Sequence, residues 1–170
     1  SGEETVWQFN EQITSLSQRT AGGFVATGKQ GFVSLDFGDC STQKIHFPDG
    51  EPDGNRFNDG KVDSLGRYWA GSMDYAQTAP SGSLYCLDEN LNCTVADDGY
   101  IITNGPAFSK DGVIMYHTDS PRQCIYVFDV NREGKLENKR EFVRFSEEMG
   151  FPDGMTVDSE DCLWVAQWGG

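Results

Sequence analysis

VDSLGRYWAG, from Val62 to Gly71, decides how this chain is read, because its plan recurs. FSKDGVIMYH (Phe108 to His117) and VDSEDCLWVA (Val157 to Ala166) repeat it. Each has a strand end, a four- or five-residue polar turn, and a second strand with one large apolar residue: Trp69, Met115 or Trp164. A fainter copy runs from Leu16 to Thr27. The turn residues Gly22, Gly66, Gly112 and Asp161 mark the period, at spacings of 44, 46 and 49 residues. Repeats of roughly 40 to 50 residues with several short strands each are the signature of propeller blades.

Around these segments lie further short β-rich runs: Phe24 to Ala26, Phe32 to Leu35, Ser83 to Leu87 and Ile125 to Phe128. Turn pairs such as Gly22-Gly23, Asp111-Gly112 and Asp153-Gly154 separate the strands, the pattern of an all-β protein. At about 45 residues per blade, the chain makes nearly four blades. Residues 1–170 are therefore read as one incomplete β-propeller domain. Glu141 to Gly150 is the stretch expected to turn helically. Trp69 and Trp164 are expected to be buried between blades.

Composition narrows the function. The net charge is −14, with 27 acidic against 13 basic residues. Such a surface repels phosphate backbones, which excludes nucleic acid as a partner, and draws cations instead. The longest apolar runs, Tyr100 to Ile102 and Val113 to Tyr116, fall far short of the ~18 residues of a membrane span. No signal-peptide pattern marks the N-terminus. Five cysteines, an odd number without a CxxC pair, fit reduced, buried thiols of a cytoplasmic protein.

Eight residues before each marker stands a polar residue: Asn58 in NRFNDG, Asn104 in ITNGPA and Asp153 in FPDGMT. The faint copy gives Thr14 there. Equivalent positions of propeller blades are related by rotation about the central channel. Asn58, Asn104 and Asp153 should therefore converge on that axis. Two amides and a carboxylate are oxygen ligands suited to calcium, magnesium or manganese, with zinc less favoured. Any one of them alone reads as a turn residue, since Asn-Gly and Asp-Gly are common turn pairs. Three at one phase of a repeat point to a site. Arg56 lies two residues before Asn58, on the same side of an extended segment, and can grip a carbonyl or carboxylate oxygen. Taken alone it reads equally as a partner of a surface acid. There is no G-x-S-x-G, and neither His46 nor His117 has a triad-like context, so no covalent nucleophile is implied. His117, beside Tyr116, reads as a packed, hydrogen-bonded core histidine.

Three stretches carry a resemblance. NRFNDGKVDSLGRYWAGSMD (Asn55 to Asp74), ITNGPAFSKDGVIMYHTDS (Ile102 to Ser120) and FPDGMTVDSEDCLWVAQWGG (Phe151 to Gly170) resemble successive motifs of the gluconolactonase/regucalcin (senescence marker protein) family. The resemblance covers essentially the whole chain. It implies a six-bladed β-propeller, of which this chain supplies about four blades, with one divalent metal ion in the channel: calcium, zinc, magnesium, manganese or iron. It further implies hydrolysis of a small-molecule sugar lactone. Carried over by motif, Asn104 and Asp153 match metal ligands, Asp153 the general base, and Arg56 and Asn58 residues that contact substrate. The family's third metal ligand, a Glu in a GEGP-like motif, has no counterpart here. Glu3 and Glu4 lie too close to the Leu16 repeat to supply it, and its place would be one period before Thr14. A substrate-contacting Glu of some members also lacks a match, Asp74 being the nearby acid. On this reading the chain is truncated at both ends. Two other readings stand beside it: a non-catalytic calcium-binding propeller, and a related propeller hydrolase acting on another ester.

Overall fold

The computed structural model describes residues 4–29 and 31–170. Its strands form three four-stranded antiparallel sheets and a fourth of two strands. The first blade is β1 (Ile13–Gln18), β2 (Phe24–Gly28), β3 (Gly31–Asp36) and β4 (Ser41–His46). The second is β5 (Asn55–Val62), β6 (Tyr68–Asp74), β7 (Gly82–Leu87) and β8 (Cys93–Tyr100). The third is β9 (Thr103–Phe108), β10 (Ile114–Asp119), β11 (Cys124–Val130) and β12 (Leu136–Arg144). The fourth sheet pairs β13 (Phe151–Val157) with β14 (Leu163–Trp168). Consecutive strands are neighbours in every sheet, so each blade is a meander. The first strands β1, β5, β9 and β13 pack side by side in that order, as the inner strands of a partial propeller do.

The four period markers occupy one structural position. Gly22, Gly66, Gly112 and Asp161 each donate a backbone N–H to the carbonyl three residues earlier, at Arg19, Asp63, Ser109 and Asp158. All four have positive φ, between 61° and 90°. Glycine takes this conformation without strain and Asp tolerates it, so the sequence period follows from the turn between the first and second strands of each blade.

Alternation along a strand sends successive side chains to opposite faces, and the core lies in layers between blades. From β6, Tyr68 and Ala70 face the first blade with Val25, Phe32 and Phe57. Trp69 faces the third with Tyr100, Met115 and Phe128. Met155 joins Ala107 and Ile125 between the third and fourth sheets. Gly71 marks a close blade approach: a Cβ there would lie 2.4 Å from Thr103 Cβ. Among the described residues no helix is long and apolar enough to cross a membrane.

Several expectations need correction. Trp164 is 64% exposed, whereas Trp69 is fully buried. It lies on a face of β14 that no other sheet of the described residues covers. Glu141 to Arg144 continue β12, and helical backbone is confined to a 3₁₀ turn at Glu147–Met149. All five cysteines are free, but only Cys86 and Cys124 are buried, and Cys162 is exposed. His117 is fully buried against Tyr100, with ring centroids 4.6 Å apart, yet neither ring nitrogen has a hydrogen-bond partner among the described residues. Burial pushes its pKa down to about 3.

Candidate functional site

The site grows from a shared irregularity. In each blade the pairing of the first two strands slips by one residue: at Ile13/Ser15, Phe57/Gly60, Asn104/Ala107 and Pro152/Met155. Such bulges bend the strand and re-aim a side chain. They fall at or beside Thr14, Asn58, Asn104 and Asp153. The sequence period thus places the same defect in every inner strand.

Three of the four positions open into one cleft of about 470 Å³. Arg56, Asn58, Asn104 and Asp153 all line it, with Met73, Gln77, Ser120 and Trp168 among the other wall residues. Thr14 does not: its hydroxyl is taken by Thr27 in β2. A hydrogen-bonded arc joins the blades. Arg56 Nη1 donates to Asn58 Oδ1 (2.8 Å), and Asn58 Nδ2 donates to Asn104 Oδ1 (2.9 Å) and to the Thr103 carbonyl (2.8 Å). Asn104 Nδ2 donates to Ser120 Oγ (2.8 Å), which donates to the carbonyl of Pro152 (2.6 Å), next to Asp153. Asp153 Oδ1 accepts the Gly154 N–H, while Oδ2 has no hydrogen-bond partner among the described residues. Burial lowers the pKa of the half-buried Arg56 guanidinium from its ordinary value.

Sequence reasoning missed Asp59. Its Oδ1 accepts the amide of Gly60 and its Oδ2 that of Gly105, the residue after Asn104. A Cβ on Gly154 would lie 3.5 Å from Oδ2. Asp59 therefore ties the second blade to the backbone beside Asn104 and lies close to Gly154, beside Asp153. Burial, then the neighbouring Asp153 charge, push its pKa up, against the two amide hydrogen bonds. One signal was available: the second repeat reads Asn-Asp-Gly where the others read Asn-Gly and Asp-Gly. Ser120 and Trp168 gave no such signal, because they reach the cleft through neighbouring strands.

Asp74 does not serve the cleft. Its carboxylate accepts the amides of Ala76, Thr78 and Ala79 and the Thr78 hydroxyl. These bonds, led by the Ala79 amide, hold its pKa down to about 2. Gln77, from the same turn, lines the cleft instead. Of the two acids near the N-terminus, Glu3 lies outside the described residues and Glu4 is exposed.

The donor chemistry fits a divalent cation in part. Asp153 offers a free carboxylate oxygen, and an amide oxygen such as Asn104 Oδ1 has a second lone pair beyond the one Asn58 occupies. Among the described residues no three His, Cys, Asp or Glu side chains cluster. The set on these blades is therefore mixed amide and carboxylate, as suits a hard ion.

Comparison with known proteins matches residues 1–170 to the family described as SMP-30/Gluconolactonase/LRE-like region. Regucalcin of Sus scrofa is 39% identical over 165 residues, which are 93% of this chain and 55% of that protein. The 6-deoxy-6-sulfogluconolactonase of Pseudomonas putida is 33% identical over 173 residues, 99% of this chain and 58% of that protein. The crystal structure of a calcium-binding protein, regucalcin, from Agrobacterium tumefaciens superposes with a TM-score of 0.89 at 23% identity, covering 97% of this chain and 56% of the other. The chain thus spans a little over half the length of the relatives it matches, and it shares their fold over that span.

Proposed function

The chain belongs to the SMP-30/gluconolactonase/LRE-like family, and on that premise we propose that its cleft takes part in hydrolysing a sugar lactone to the aldonic acid. What supports this reading most is the arc Arg56–Asn58–Asn104–Ser120 beside Asp153, which brings a guanidinium, two amides and a free carboxylate oxygen to one cleft. The name of the Pseudomonas relative, a sugar lactonase, points to the same chemistry.

Asn104 and Asp153 would hold a divalent ion, and when bound such an ion supplies Lewis-acid polarisation of a carbonyl. One carboxylate oxygen of Asp153 would hold the ion, and the other takes the proton of the attacking water as general base. Arg56, anchored through Nη1, sets its guanidinium charge beside the substrate at the edge of the cleft. Asn58, whose Nδ2 is already spent, offers a ring hydroxyl the remaining lone pair of the Oδ1 that Arg56 fixes. Asp59 braces the backbone after Asn104 through the Gly105 amide.

The test is acid release from a panel of sugar lactones by the natural full-length protein, with calcium, zinc, magnesium or manganese supplied in turn. Asp153→Ala should lower kcat by roughly a hundredfold or more with every metal, since it removes base and ligand together. Asn104→Ala should weaken metal affinity and recover in part at high metal concentration. Arg56→Ala should raise KM and leave metal affinity nearly intact. Lactone turnover that survives in Asp153→Ala would overturn the reading. A calcium affinity without turnover of any lactone would favour the binding-protein alternative, which the calcium-binding description of the Agrobacterium structure keeps in view.

A further inference from the structure

A second cavity of about 340 Å³ adjoins the first, lined by Asn10, Glu11, Gln12, Lys29, Arg56 and Tyr75. Arg56 lines both cavities and so forms the wall between them. Its Nη1 is spent on Phe57 O and Asn58 Oδ1. Its Nε and Nη2 have no acceptor among the described residues. Neither Arg56 nor Lys29 has a carboxylate within ion-pair distance among the described residues. That is unexpected in a chain where acids outnumber bases two to one. The single acid in the wall is Glu11, and neither of its oxygens is paired with Arg56 or Lys29 among the described residues. Its Oε1 accepts the Thr42 hydroxyl at 2.6 Å, and its Oε2 is enclosed against Gly28, where a Cβ would stand 3.2 Å from it.

We propose that this second cavity is an anion subsite, which makes the preferred substrate a sugar lactone bearing a phosphate or sulfonate at the end of the ring system away from the carbonyl. The inference rests on the lactone-hydrolase reading of the main cleft. Arg56 donates its free N–H edge in the forked geometry that tetrahedral oxyanions accept. Lys29 adds a point charge from the neighbouring first blade. Asn10 and Gln12 offer neutral polar groups beside them. The ring lies in the first cavity between Asn58 and Asp153, and only a substituent reaching past Arg56 enters the second. Tyr75, with its ring centroid 5.9 Å from the Arg56 guanidinium carbon, keeps that side chain in the wall.

The experiment compares gluconolactone with 6-phosphogluconolactone and 6-deoxy-6-sulfogluconolactone in the natural full-length protein. Lys29→Gln should lower the ratio of kcat/KM for the anionic lactones over the neutral one by roughly three- to tenfold, as loss of one partly exposed charge contact does. Lys29→Arg should restore the ratio. Lys135→Gln, the same charge change in the distant β11–β12 turn, should leave it unmoved. A ratio that ignores Lys29 while all three lactones turn over overturns the subsite and leaves the lactonase reading intact. A binding arm decides the case in which no lactone turns over. Calorimetry with 6-phosphogluconate and gluconate should then show Lys29→Gln weakening only the phosphorylated acid. Equal weakening of both acids, or no weakening of either, overturns the subsite. Inorganic phosphate at matched ionic strength should compete poorly with 6-phosphogluconate; equal competition would mean a free-anion site and also overturn the proposal.

Discussion

Trp69 and Trp164 occupy the same place in two blades, and their surroundings differ completely. Each follows an Asp by six residues and donates its indole N–H to it. Trp69 reaches Asp63 Oδ2 at 2.9 Å, and Trp164 reaches Asp158 Oδ2 at 2.7 Å. The hairpin therefore builds this bond from local sequence alone. Burial comes from elsewhere. Trp69 is covered by the third blade, where Met115 and Phe128 pack on it. Trp164 faces outward with Trp168 and Phe151, 72% and 45% exposed. The second blade adds one more element: Arg67 pairs with Asp63 at 2.6 Å and reaches the Arg132 carbonyl of the third blade. Cys162 stands in the Arg67 position of the fourth sheet and makes no such bridge. In a repeat protein each unit is completed by its neighbour, and these two tryptophans separate the local contribution from the neighbour's.

The comparison can be broken by mutation. Trp69→Ala should cost about 3–5 kcal/mol, the range for truncating a fully buried aromatic residue, while Trp164→Ala costs under about 1 kcal/mol. Denaturant melts of the two variants measure this. Equal losses would mean that Trp164 is covered in solution. Asp63→Ala should cost about 3 kcal/mol, because it strands the buried Arg67 guanidinium. Asp158→Ala, at an exposed carboxylate, should leave the melting temperature unchanged within error. A smaller effect concerns acid stability and belongs to the buried layer beside Trp69. His117 has a folded pKa near 3, against an ordinary value of 6.5, because burial disfavours the imidazolium and the Lys139 charge adds to this. The unfolded chain takes up that proton below about pH 6.5 and the folded chain does not until near pH 3, so stability falls across that window as pH drops. His117→Leu should flatten the acid limb of melting temperature against pH. An unaltered limb would place its origin in other groups.

Much of the site was legible because it repeats. The spacing of Gly22, Gly66, Gly112 and Asp161 fixed the phase, and the phase located Asn58, Asn104 and Asp153. Periodicity works here because one turn conformation, with positive φ at the marker, recurs in each blade. It could not reveal that Thr14 at the same phase is satisfied within its own blade. Nor did it flag Asp59, whose role depends on the Gly105 amide of the next blade.

The sequence by itself determined several strands nearer the axis, the marked turns, the blade period and the set of polar residues at one phase, because these depend on backbone preferences within about ten residues, whereas the outer strands β4, β8 and β12 left no such mark. Tertiary structure decided which of those residues share a cleft, which tryptophan is core, and that Asp74 caps its own loop while Gln77 faces the cavity. Those outcomes depend on packing between blades, where desolvation and hydrogen-bond partners come from residues roughly a full repeat away. A sequence pattern records that two positions are equivalent; only the neighbouring sheet makes one of them buried and leaves the other in water.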